Sequence, residues 1–143
     1  MGKLETLLNT IRNNLKLLDK KLEEEAPKDL VSDPFSLNAV LHILQVSIQA
    51  LIDLACHALA EAGVGVVDRY SALPDLLAGA GAVRREDAAL LKKIIGFRNV
   101  VVHGYRRVSR DIVLLILLER RYRDILRLAI AVAEWAKSLG VDP

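Results

Sequence analysis

The feature that most constrains this chain is the spacing of its apolar side chains. From Lys3 to Glu25 they recur at Leu4, Leu7/Leu8, Ile11, Leu15, Leu18 and Leu22. Steps of three and four put them on one face of a helix. Nowhere does the chain show the strict alternation of a half-buried strand. With only four prolines and eight glycines in 143 residues, it is also poorly supplied with the turns an all-β fold needs. Aromatic residues make up 4% of the chain, so leucine, alanine, valine and isoleucine must fill the core.

The same periodicity divides the rest. Pro27 ends the first helix, and Asp33-Pro34 lies in a connector. Ser36 is the expected N-cap of a long helix reaching about Ala62, closed by Gly63 and Gly65. A short helix is expected around Pro74 to Leu77, and another long one from near Glu86 to about Val102 with Gly104 just past its end. A last helix is expected over about Ser109 to Leu139. The prediction is an all-α protein, an antiparallel bundle of four longer helices plus a short one, forming a single domain over residues 1–143.

Composition excludes several functions. The one cysteine, Cys56, excludes an internal disulfide and a multi-cysteine metal site, and fits a reducing, cytoplasmic setting. Three histidines without a spaced acidic pair make no zinc site. Gly63-Val64-Gly65 lacks the third glycine of a dinucleotide loop. No cofactor or metal is therefore expected, and no membrane span either, because the longest apolar run, Ile112 to Leu118, is far short of the roughly 20 residues a bilayer needs. Charge is uneven: residues 1–71 carry a net −3 and residues 72–143 a net +5. The second half is either a set of solvated basic faces or a surface for a polyanion.

The informative segment is Phe97-Arg98-Asn99-Val100-Val101-Val102-His103-Gly104-Tyr105. At 100° per residue, Leu90, Leu91, Ile94, Phe97, Val101 and Val102 share one arc, and Arg98 falls inside it, about 40° from Ile94. A charge there must be met by a carboxylate, a partner chain or an anionic ligand. His103 lies about 140° from Arg98 on an uninterrupted helix. The two converge only if the helix frays or ends near His103, or if a second subunit supplies one of them. Gly104 in a left-handed conformation would supply the ending. Arginine binds phosphoryl oxygens bidentately and histidine moves protons at neutral pH, so the pair suits a phosphate. Asn99 is four residues before His103 and could orient its ring. Arg106, Arg107 and Arg110, with Tyr105 among them, make either a candidate single-strand nucleic-acid surface or an ordinary exposed loop.

Two further features stay open. Asn38, His42, Gln45, Gln49 and Asp53 lie within about 80° of one another on the second long helix. That stripe is either its solvated face or the lining of the cleft around Arg98 and His103. Arg121, on the stripe of Leu114, Leu118, Ile125, Leu128, Val132 and Trp135, either closes an interface or pairs internally.

Gly96-Phe97-Arg98-Asn99 followed by Val102-His103-Gly104-Tyr105 resembles the Arg-x4-His-x-Tyr motif of HepT-like HEPN toxins, the helical partners of minimal nucleotidyltransferase (MNT) antitoxins. The likeness runs from about Asn38 to about Trp135 and includes His42 to Ala50 and Ile52 to His57. The resemblance implies a homodimeric, metal-independent endoribonuclease acting on RNA. Arg98 would neutralise the scissile phosphate, and His103 would transfer protons as the ribose 2′-hydroxyl attacks. It also implies that the antitoxin adenylylates Tyr105 and so blocks the anion site. The alternative is a non-catalytic nucleotide- or RNA-binding partner of a nucleotidyltransferase.

Overall fold

The computed structural model describes residues 2–104 and 108–141. Among them are seven α-helices, one 3-10 turn and no strand. The helices are α1 (Lys3–Glu24), α2 (Pro27–Ser32), α3 (Pro34–Glu61), α4 (Leu73–Gly79), α5 (Arg85–His103), α6 (Arg110–Leu118) and α7 (Arg123–Ser138), and the 3-10 turn is Tyr70–Ala72. The four longest, α1, α3, α5 and α7, form the expected bundle. The short elements number more than the one anticipated.

Helix α3 is the central strut and packs against α1, α5 and α7. By length and composition it alone among the described helices could span a bilayer. Its apolar side chains are instead consumed by the core, where Leu44, Leu51, Ile52, Leu54, Ala55 and Leu59 are all within 1% of full burial. The first-helix stripe meets them: Leu4, Leu8, Ile11, Leu15 and Leu18 are buried. Each such leucine or isoleucine contributes roughly 1.5–3 kcal/mol of apolar transfer free energy.

Three expectations about helix ends are corrected. The N-cap of α3 is Asp33 rather than Ser36. Its carboxylate accepts from the Ser36 backbone N–H at 2.9 Å and from the Ser36 hydroxyl at 2.8 Å. Pro34 occupies the first turn, where its missing N–H costs nothing. These hydrogen bonds hold the Asp33 carboxyl below its ordinary pKa. Pro27 likewise starts a helix, α2, after stopping α1.

The last expected helix is two. Helix α6 ends in a Schellman turn in which the Arg120 N–H donates to the Leu117 carbonyl and the Arg121 N–H to that of Ile116. Arg120 takes the left-handed position at φ 55°, a role glycine usually fills. Its Nη1 also donates to the Leu117 carbonyl at 2.6 Å. The same turn closes α3 at Gly63, with φ 76°.

The break delivers Tyr122 to the core. Tyr122 is 1% exposed, and its hydroxyl donates to Asp19 of α1. Burial and that hydrogen bond push its pKa up to about 12. Burial works against ionisation of Asp19 too, but the Tyr122 hydroxyl and Arg123 prevail and hold it below its ordinary value.

Candidate functional site

Helix α5 carries the arginine–histidine segment. Leu91, Ile95 and Val101 anchor it in the core, and Phe97 packs partly buried beside them. That register leaves Arg98 half-buried where α5 faces α3. Its Nη2 donates to Gln49 Oε1 at 2.7 Å and its Nη1 to Asn99 Oδ1 at 3.1 Å. The guanidinium lies over the Tyr70 ring, 5.4 Å from the centroid, within the range of a cation–π contact. Arg98 Nε is buried and finds no acceptor among the described residues. No carboxylate among them pairs with Arg98, and its contacts with the described residues Gln49, Asn99 and Tyr70 are to neutral groups. An internal acid partner, the plain structural explanation for a half-buried arginine, is absent from the described residues.

His103 is the last residue of α5 and is exposed. Gly104 follows as the C-cap, its N–H bonded to the Val100 carbonyl at 3.1 Å. The helix ends where the sequence indicates, but Gly104 sits at φ 161° and ψ 113°, which is extended rather than left-handed. Because α5 stays helical through His103, the offset of about 140° from Arg98 stands. Asn99 turns its amide oxygen to Arg98, not towards the residue it was expected to orient.

The polar stripe of α3 divides. Gln49 and Asp53 belong to the site, joined by a 2.9 Å hydrogen bond from Gln49 Nε2 to Asp53 Oδ1. Asn38 and His42 are exposed and lie toward the other end of the helix, Asn38 about 16 Å from Gln49 along its axis. Gln45 is half-buried between them. Arg110 is exposed in the first turn of α6, which Ser109 caps. Tyr105, Arg106 and Arg107 lie outside the described residues. Arg121 pairs internally with Glu119, because the break after α6 takes it off the apolar stripe.

A cavity of about 370 Å³ is an apolar groove between α3, α5, α6 and α7, with Leu44, Ile48, Phe97, Ile116 and Ile125 among its lining. Neither Arg98 nor His103 lines it. On its outer side α6 leaves Ile112, Leu115 and Leu118 at 51, 51 and 55% exposure, and Val100 and Val102 of α5 are also exposed. Ile112, Leu115 and Leu118, spaced by three on α6, form one exposed apolar stripe, which marks an interaction surface. Among the described residues, no group of three or more histidine, cysteine, aspartate or glutamate side chains could hold a metal ion.

Tyr70 was not foreseen, because it lies in a loop without periodicity and reaches Arg98 only through the tertiary fold. Gln49 was legible as one of a polar stripe, but nothing in the stripe singled it out.

Among the described residues, an all-helical bundle thus carries on one helix a half-buried arginine without an acid partner and an exposed histidine. The chain belongs to the HepT-like ribonuclease family, whose profile matches residues 11–132. It is 34% identical over 84 residues to a protein of Archaeoglobus fulgidus named "Putative RNase". That match spans 59% of this chain and 63% of the relative, less than two thirds of its length. The fold matches the tri-AMPylated HEPN toxin of Shewanella oneidensis in complex with MNT antitoxin, at a TM-score of 0.81 and 22% identity, over 94% of this chain and 98% of that one. It also matches the cytosolic protein of unknown function YutE of Bacillus subtilis, at a TM-score of 0.77 and 17% identity, over 100% of this chain and 97% of that one.

Proposed function

We propose that this protein is a metal-independent endoribonuclease, the cytoplasmic toxin of a toxin–antitoxin pair, with Arg98 and His103 as its catalytic residues. The observation that carries the reading is the environment of Arg98: a half-buried cation with neutral partners and, among the described residues, no acceptor for its Nε–H. Such a group retains its full charge for a phosphodiester. As the ribose 2′-oxygen attacks phosphorus, charge builds on the non-bridging oxygens, and a positioned guanidinium opposes it. One imidazole takes the 2′-hydroxyl proton and another protonates the departing 5′-oxygen, leaving a 2′,3′-cyclic phosphate and a 5′-hydroxyl. Acid–base help of this kind is worth roughly 10²–10⁴-fold.

Each chain supplies one Arg98 and one His103, on different faces of the same helix. A homodimer that joins the exposed apolar stripe of α6 supplies the second set and relieves the angular separation. Arg106, Arg107 and Arg110 add positive charge next to the motif for binding RNA, and Asn99 supports Arg98. Family membership and the fold shared with a tri-AMPylated toxin support MNT-type antitoxin control, with Tyr105 as the adenylylated residue. AMP at Tyr105 would place negative charge and bulk two residues from His103 and exclude RNA.

The test is incubation of the unmodified protein with labelled single-stranded RNA in EDTA, followed by analysis of product ends. Cyclic-phosphate ends are expected. RNA binding without cleavage would make the protein a non-catalytic binding partner of a nucleotidyltransferase instead.

A further inference from the structure

We infer that Gln49 is a positioning residue for Arg98, holding the guanidinium at the anion site through a neutral acceptor while Tyr70 supports its face. The inference rests on the ribonuclease reading above and adds a residue to it from a different helix.

Gln49 stands on α3, 49 positions away in sequence, and its Oε1 accepts from Arg98 Nη2 at 2.7 Å. Which way round its amide sits is fixed from the other end. Gln49 Nε2 donates to Asp53 Oδ1 at 2.9 Å and lies 3.4 Å from the Tyr70 hydroxyl. A flipped amide would set its NH₂ against the guanidinium donors and its oxygen against the Asp53 carboxylate. The oxygen therefore faces Arg98. The Tyr70 ring lies 5.4 Å from the guanidinium carbon and restricts the plane from one side.

The choice of an amide has a consequence for the chemistry. A carboxylate at 2.7 Å would pair with the guanidinium and compete with a phosphate for its charge. Gln49 supplies a hydrogen bond of the same direction without the negative charge. Asp53, one step further out, orders Gln49 rather than neutralising Arg98.

Two variants separate position from charge. Gln49→Leu keeps the approximate volume and removes the acceptor. It should lower kcat by about tenfold to a hundredfold, the scale set by a displacement of about 1 Å in a catalytic group. Gln49→Glu combined with Asp53→Asn restores an acceptor oxygen for Arg98 and keeps a donor for the other oxygen, and this double variant should keep most of kcat while raising KM for RNA. Wild-type kcat in Gln49→Leu would overturn the assignment, as would an equal loss of kcat in both variants.

A second readout needs no cleavage. In side-chain NMR of protein labelled with ¹⁵N-arginine, Arg98 should show hindered Nε–Cζ rotation in the wild type, and Gln49→Leu should release it. Unchanged rotation in that variant also overturns the assignment. If the wild type does not cleave RNA but its Arg98 is immobilised through Gln49, the ribonuclease reading fails and the positioning contact survives.

Discussion

Leu115→Lys should convert an active dimer into a folded, inactive monomer. Leu115 is 51% exposed, with Ile112 at 51% and Leu118 at 55% beside it on α6. Fully burying a leucine is worth roughly 1.5–3 kcal/mol, so covering the exposed half of one is worth about 1 kcal/mol. A two-fold interface contains each residue twice, so Leu115 contributes about 2 kcal/mol per dimer. By the affinity relation, losing it weakens association about 30-fold, and an ammonium that must be desolvated weakens it further. The monomer should keep its helicity, because Leu115 lies outside the core cluster, and should lose only the stability and the concentration dependence of its thermal midpoint that association supplies. Sedimentation velocity across a concentration series measures the dissociation constant, and RNA cleavage is followed in the same samples. A Leu115→Lys protein that dimerises with wild-type affinity, or cleaves RNA as a monomer, would refute the two-chain account.

Three other perturbations have defined outcomes. Asp87 is buried, accepts from Arg127 Nη1 at 3.0 Å, and lies 3.6 Å from Arg84 Nε. Burial pushes its pKa up, but Arg127 and Arg84 hold it below its ordinary value. Its stabilisation is therefore present above the unfolded value of about 4 and is lost as pH falls through the folded one. Asp87→Asn should cost about 1–2 kcal/mol at pH 7 and flatten the acid limb of the stability curve in urea titrations. Tyr122 behaves in the opposite sense. With its pKa raised to about 12, its contribution is complete below about 10 and is lost as pH rises towards 12. Tyr122→Phe should cost about 1 kcal/mol at pH 7 and remove that alkaline dependence in thermal melts. Tyr105→Phe should still cleave RNA but resist adenylylation by a cognate transferase, read by incorporation of labelled AMP. Labelling of that variant would mean another acceptor.

Much of the fold was legible because long amphipathic helices announce themselves. Leu4 to Leu22 and Leu37 to Ala55 repeat over several turns, and the end signals at Gly63 and Gly104 coincide with real ends. What was hidden depends on local chemistry that a side-chain pattern does not carry. The apolar pattern runs on from Leu118 towards Ile125, and the break between them is made by Arg120 in a left-handed conformation that no glycine advertises. The pattern marks Pro27 as a stop and Pro34 as part of a connector, although each also opens a helix, which is the position where proline is least costly. At the site, the misfit of Arg98 within an apolar arc was visible from spacing alone. Its partners were not, because Gln49 and Tyr70 reach it only across the packed bundle.

The most direct test of the central claim compares wild type, Arg98→Ala and His103→Ala on one labelled single-stranded RNA, in EDTA, with each protein checked for an unmodified Tyr105. The account predicts cleavage by the wild type, loss of it in both variants, and helicity preserved in all three. Cleavage by Arg98→Ala at the wild-type rate would contradict it, because the acid-free arginine would then have no part in the reaction.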